Sequence, residues 1–451
     1  MPVPLQLLLM ALLNLPFDLM RTWDAAATAR LQAELKAIRD AGDPVTMVEL
    51  AKTYPDPPPG RNAATFYKAA FEKMEGRGEL PENVRRLLPL PLVGTAQLPE
   101  PGQELPPAML KAIRDYLGEK EEVLDLLRKA TALDECKFDL DFTKGIGMLL
   151  PHLSAMSRAA RLLVLAAVER AASGRPDEAA ESLVACLRIG SAVKHEPIFL
   201  SALVRIASDY IAVGQVERWA VEKSISPQAL ERVEAALAAA ADPTILERAM
   251  VGERCFGIYI HQNCVLKPEL LRALGLDDMG GGPLRHLLPQ AYLKADMLCY
   301  LGIMNQYVAA ARRGVPEGLR AAPRAGGEIE EMIPRCFFVS RQILPALGGV
   351  FTEVQRHMAR LSTARAALAA LRYRRKNGLL PENLDALVPN FIPAVPSDPF
   401  DGKPLRYRKD ATGFVVYTVG ENGKDDGGDT QTRQGRPPDT GFRVRWPKAH
   451  F

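Results

Sequence analysis

Cysteine is scarce in this 451-residue chain, and what there is lies scattered. Cys136, Cys186, Cys255, Cys264, Cys299 and Cys336 are far apart, whereas a small disulfide scaffold has its cysteines dense and closely spaced. Their spacing leaves the redox compartment open. Excess charge of one sign is missing too: 57 Lys+Arg against 54 Asp+Glu leaves +3, too little for a field that would gather nucleic acid or an anionic membrane over the whole surface. No clean apolar run of about twenty residues occurs, which excludes a polytopic membrane protein. Absent as well are HExxH, a Walker loop, a GxSxG elbow and GxGxxG after a strand, the constellations whose geometry forces a reaction class. The central region shows no strand–helix alternation, which argues against a parallel α/β enzyme core. What is present, 47% hydrophobic and 25% charged residues, is the composition of a folded chain longer than one usual domain.

Residues 1–23 hold the most apolar segment. Gln6, Asn14, Pro16 and Asp18 interrupt it and no Lys or Arg precedes it, while its core from Leu7 to Leu13 has the length of a signal h-region. Three readings stand side by side: an export or anchor segment, an interfacial helix, and a first helix packed on the core. Residues 24–150 read as helices with proline-rich crossings. Eleven prolines fall from Pro55 to Pro107, and because proline lacks an amide hydrogen they predict short helices and extended crossings. Within this stretch Asn62 to Lys73 is a helical island with Phe66, Ala69 and Ala70 on one face.

Residues 151–313 predict a body of helical hairpins. The clearest runs from Ser154 to Ile189, stopping at Ser173-Gly174 and restarting at Pro176-Asp177-Glu178, where proline suits the first helical position and the acids complement the helix N-terminus. Ala179, Leu183, Cys186 and Leu187 then repeat at three and four, one buried stripe. This hairpin resembles a tetratricopeptide repeat, with Gly174, Ala179, Leu183 and Cys186 at the motif's turn-glycine, small, large and small positions, but one good copy is too few for a solenoid. Helices are also predicted over Phe199–Lys223, Ser226–Ala241, Pro243–Val265 and Gln290–Arg313, with a break at Gly280-Gly281-Gly282-Pro283. Residues 314–340 read as a linker.

Residues that carry chemistry are isolated. Cys255, His261 and Cys264 offer three soft ligands without the paired spacing that holds a zinc ion, so they read as small or packed residues of a helix. His152, His195 with Glu196, and Glu253-Arg254 read as core or interface partners that would become a site only if they converged in a cleft. Tyr373-Arg374-Arg375-Lys376 ends a long helix, where cations offset the helix dipole.

Residues 341–451 predict an α+β unit: a helix from Thr352 to Lys376, a stop at Asn377-Gly378, a short turn opened by Pro381, and strands at Leu405–Lys409, Phe414–Val419 and Phe442–Trp446. The fold class expected for the chain is mainly α, a helical-hairpin array followed by this small unit. Its motif order resembles the globular head of the major pseudopilin of type II secretion systems, carried by Ala364 to Tyr373, Asn377-Gly378-Leu379-Leu380-Pro381, Asp398-Pro399-Phe400-Asp401-Gly402 with Tyr407, and Tyr417-Thr418-Val419-Gly420-Glu421-Asn422-Gly423. The chain departs from that family in placing some 340 residues of helices ahead of the unit, so it is not expected to assemble as a pilus subunit. The whole layout is similar to bacterial envelope proteins in which a helical body precedes such a tail.

The resemblance implies a calcium site in the loop Gly420 to Asp429. Asn422, Asp425, Asp426 and Asp429 would supply side-chain oxygens and Thr418 and Val419 carbonyls, although Lys424 stands where a donor is wanted and Gly, Asp and Asn also make a plain solvated turn. No catalytic residue or other cofactor is expected. The reading reached is a non-enzymatic, envelope-associated interaction or scaffold protein with protein partners, no nucleic acid, and membrane association through residues 1–20. An enzyme or ligand-binding protein with a site in a helical cleft, and a cytoplasmic helical scaffold, are the alternatives.

Overall fold

The computed structural model describes residues 16–74, 80–89, 93–222, 224–264, 289–323, 327–431 and 437–446. The chain is mainly helical with one small antiparallel sheet near its C-terminus. In chain order the helices are α1 (Phe17–Asp40), α2 (Met47–Lys52), α3 (Ala64–Met74), α4 (Glu82–Arg85), α5 (Pro107–Gly118), α6 (Glu121–Thr131), α7 (Pro151–Ala172), α8 (Pro176–Ser191), α9 (Phe199–Trp219), α10 (Pro227–Ala240), α11 (Ile245–Asn263), α12 (Gln290–Arg312), α13 (Glu317–Ala321), α14 (Gly327–Met332), α15 (Phe338–Ile343) and α16 (Val350–Asn377). The strands are β1 (Arg406–Asp410), β2 (Gly413–Thr418) and β3 (Thr440–Arg445). The triple glycine at 280–282 and residues 1–15 lie outside the described residues.

Local chemistry sets most boundaries. Gly174 takes φ 76° between α7 and α8, a conformation costly to residues with a Cβ, and Pro176 opens α8 with Asp177 and Glu178 in its first turn. Ser226 caps α10 by accepting from the Ala229 amide at 3.1 Å. Gly378, at φ 79°, closes α16. In α8 the stripe Ala179, Leu183, Cys186 and Leu187 is buried. Among the described residues the proline-rich stretch contains α3 and α4 before α5 begins at Pro107. On α3 the expected face is rotated: Tyr67, Ala70 and Phe71 are buried and Phe66 is half-buried, because the two rings stack on Phe138 and on each other. Residues 314–340 contain α13, α14 and part of α15.

Two large cores organise these elements. The first joins α3, α5, α6 and α7–α10 to α16 and the sheet, and the second joins α1, α11, α12 and α15 to the start of α16. Helix α16 therefore belongs to both, and its alanine-rich middle is enclosed on every side: Ala364, Ala366, Ala367, Leu368, Ala369 and Ala370 are all fully buried. Alanine at these positions lets helices and strands approach closely. The sheet has the order β1-β2-β3, with Val416 opposite both Tyr407 and Phe442. Phe414, Val416, Phe442 and Val444 join the first core. On the other face Gly428, at φ 77°, lies against Val415 and Tyr417, where a Cβ would come within 2.8 Å of the valine. The backbone amide of Arg443 donates to Glu217 Oε1 at 2.8 Å, tying the sheet's outer edge to α9.

Among the described residues α9 is the helix long and apolar enough to cross a membrane. It carries the fully or nearly fully buried Arg205 and Asp209 and packs against α7, α8 and α16 in the protein interior.

Candidate functional site

Each described histidine lies beside a carboxylate. His152, at the start of α7, reaches Glu196 in the α8–α9 connection at 3.1 Å. Glu196 also accepts from Ser201 Oγ at 2.5 Å and from the Tyr54 hydroxyl at 3.3 Å. That hydroxyl accepts from the Phe138 amide at 2.9 Å, and the Phe138 ring stacks on His152 at 4.3 Å. All of these groups are buried. The sequence candidates His152 and Glu196 thus come together, but as an enclosed knot between the proline-rich crossing and the hairpins. His195 points elsewhere, to Glu135 at 3.3 Å, and burial followed by the Lys194 charge lowers its pKa. Arg254 is buried between Asp43 at 2.7 Å and Asn305 at 2.9 Å, while burial pushes the neighbouring Glu253 carboxyl up to about 7.

Cys255, His261 and Cys264 do not converge. Cys255 donates to the Pro44 carbonyl, His261 Nδ1 lies 2.7 Å from the Gly257 carbonyl, and the other His261 nitrogen faces Asp296 at 3.5 Å. Asp296 in turn accepts from the Val339 and Ser340 amides at 3.1 and 3.2 Å, holding the start of α15. Among the described residues no three His, Cys, Asp or Glu side chains are placed to hold a metal ion.

The pair with the most perturbed protonation joins α9 to α16. His357 Nε2 and Asp209 Oδ2 are 3.5 Å apart, both wholly enclosed, and neither carboxylate oxygen has a hydrogen bond among the described residues. Burial pushes Asp209 up to about 7, against the pull of the Arg205 charge, and pushes His357 down to about 3, in the same direction as that charge. Arg205 itself is turned to Asp242 and the Ala240 carbonyl, each at 3.0 Å. Gly190 of α8 closes over Asp209, where an added Cβ would come within 2.9 Å of Oδ1.

The C-terminal loop spends its oxygens locally. Asn422 Oδ1 accepts from the Lys424 amide and Asp429 Oδ1 from the Gln431 amide, at 2.9 and 3.1 Å. Asp425 Oδ1 accepts from the Gly427 amide and the Tyr417 hydroxyl at 2.9 and 3.1 Å, and Asp426 Oδ2 accepts from Asn422 Nδ2 at 2.7 Å. The cation at the centre is internal: the Arg406 guanidinium bonds Asp398 and Asp401 and lies 3.9 Å from Asp425. Asp398 is fully buried and also accepts from the Val419 and Phe400 amides at 2.9 and 2.8 Å. Arg406 sits in the sequence two residues into the segment that suggested a strand, and only its placement shows what it neutralises.

Two open hollows lie away from these knots and share Glu222 in their walls. One, of about 530 Å³, runs between the Pro101–Pro107 crossing and α7 and α9, past Leu105, Gln215, Arg218 and Trp219. The other, of about 320 Å³, lies at the C-terminal end of α16 beside Arg374, Arg375 and Trp446. Compared with protein-family models, curated proteins and solved structures, the chain matches none.

Proposed function

We propose that this chain is a non-enzymatic interaction scaffold of the cell envelope, in which a helical array carries a pseudopilin-like C-terminal unit and engages another protein. The observation that supports it is the division between enclosed and open polar groups. His152, His261 and His357 and the acids beside them are enclosed in the interior, whereas the open hollow is walled by Trp219 and Arg218, residues of the kind that anchor protein interfaces. The envelope part rests on Phe17 and Leu19, exposed by 76% and 53%, which continue the apolar N-terminal segment.

The test is recovery of the tagged full-length chain from the membrane and soluble fractions of its own organism, with wild type compared to Leu105→Asp in the hollow. The same partner should recur in the membrane fraction and be lost from the variant. Recovery from the soluble fraction alone would refute the envelope assignment, and a partner-free chain in both fractions would refute the scaffold.

A further inference from the structure

The C-terminal end of α16 presents four cationic residues, and they are not equivalent. Arg372 is committed: it lies 2.7 Å from Glu234 and 3.6 Å from Glu231 and is largely covered. Arg374 stacks its guanidinium on the Trp446 indole at 3.9 Å, and Lys376 approaches the Phe391 ring at 5.7 Å. Arg375 reaches only the backbone carbonyl of Glu222, at 3.5 Å. Among the described residues none of these last three makes an ion pair with a carboxylate. Asp177, the acid whose charge acts on Arg375, is already engaged by the Ser226 amide at 2.8 Å.

Offsetting the helix dipole requires cations near the last turn, but it does not require two guanidinium groups to flank one hollow. Arg374 and Arg375 line the same hollow, so two like charges stand side by side there. Such a layout is stabilised by an anion between the two groups, and a guanidinium pair suits the planar, two-oxygen form of a carboxylate. Trp446 and Leu371 supply an apolar floor. Through Glu222 the hollow adjoins the larger one, whose wall at Leu105, Leu110 and Trp219 is apolar. The two hollows share Glu222, and the larger has Glu104 and Arg218 in its wall beside its leucines and Trp219, so cations line one and a mixed apolar and polar wall lines the other, an arrangement that fits an extended polypeptide.

We propose that the hollow formed by Arg374, Arg375 and Trp446 binds the carboxylate side chain of an extended acidic segment in a partner protein, with that segment's apolar residues lying towards Trp219. This rests on the scaffold reading and adds the chemistry of the partner.

The test uses the full-length chain and a short fluorescein-labelled peptide of alternating Glu and Leu, followed by fluorescence anisotropy. Binding should weaken with salt and fall at least about tenfold in Arg375→Ser, whose exposed side chain can be removed without disturbing the core. Arg374→Ser, which also removes the stacking on Trp446, should weaken it further. A peptide of alternating Gln and Leu should bind at least about tenfold more weakly than the Glu peptide. Equal binding of the Gln peptide, or unchanged binding by Arg375→Ser, would overturn the proposal. So would a single-stranded oligonucleotide or phosphatidylglycerol vesicles displacing the peptide more effectively than the unlabelled peptide itself. A cellular partner lost on Leu105→Asp but retained on Arg375→Ser would overturn this inference while leaving the scaffold reading intact.

Discussion

The buried pair Asp209 and His357 makes a counterintuitive prediction: two strongly perturbed groups that together leave stability almost independent of pH. In the folded chain the carboxyl titrates near 7 and the imidazole near 3, against ordinary values of 3.8 and 6.5. Between roughly pH 4 and 6.5 the folded pair therefore holds one proton, on Asp209, and the unfolded chain also holds one, on His357. Stability changes with pH only when the two states bind different numbers of protons, so the wild-type pair contributes almost no slope there. Removing one partner uncovers the other. In His357→Gln the raised Asp209 stands alone, and its contribution, full below pH 3.8, is lost as pH rises towards 7, by about 4 kcal/mol in total. In Asp209→Asn the depressed His357 stands alone, and its contribution, full above pH 6.5, is lost as pH falls towards 3, by about 5 kcal/mol. Burial causes both shifts, with Arg205 adding to the depression of His357 and opposing the rise of Asp209, so deleting either partner leaves the cause of the other in place. Urea denaturation of wild type and both variants across this pH range, read as the difference from wild type so that all other groups cancel, measures the slopes. Two variants with slopes of the same sign, or slopes indistinguishable from wild type, would refute the reasoning.

Three further outcomes are expected. Arg406→Gln should cost about 3 kcal/mol in urea denaturation, because it strips the charge partner from the fully buried Asp398; a cost within error of zero would show that the guanidinium is not its essential counter-ion. Adding calcium, or removing it with a chelator, should leave the melting temperature of wild type unchanged, since Asp425, Asp426 and Asp429 each accept a hydrogen bond from the Gly427 amide, the Asn422 side chain and the Gln431 amide respectively; a calcium-dependent rise would show that they can reorganise around a metal. Leu183→Ala should cost about 2 to 5 kcal/mol, as the side chain is fully enclosed in the α8 stripe, and a cost below that range would place the site at a surface able to collapse.

Features written into neighbouring residues were readable from the sequence. The α7–α8 hairpin announces itself through Gly174, Pro176 and the spacing of Ala179, Leu183 and Cys186, each acting within a turn or two. The three strands lie within about two residues of where the sequence placed them, and the end of α16 was legible through Asn377-Gly378. Pairings across the chain were not legible. Nothing beside Asp209 in the sequence names His357 as its neighbour, and His152 meets Glu196 only because Tyr54 and Phe138 arrive from a separate crossing. The face of α3 was misjudged because alanines fit either side of a short helix, so the rings of Tyr67 and Phe71 decided it by stacking. In the 420–429 loop the acids were legible as oxygen donors. Asx side chains there bond the amides two residues on, and Arg406 of β1 comes within 3.9 Å of Asp425, neither of which the sequence shows.

The double membership of α16 has a consequence for how the protein is made. Helices α9 and α10 leave the ribosome long before α16, yet each has a face that α16 covers. At typical synthesis rates the interval between completion of α10 and emergence of α16 is on the order of ten seconds. During that interval the nascent hairpins display an apolar groove with no cover of their own. Premature termination anywhere in the intervening segment would leave the groove permanently open, so truncated products should be bound by holdase chaperones or cleared by proteases. A helix synthesised late thus decides whether the helices made long before it can persist.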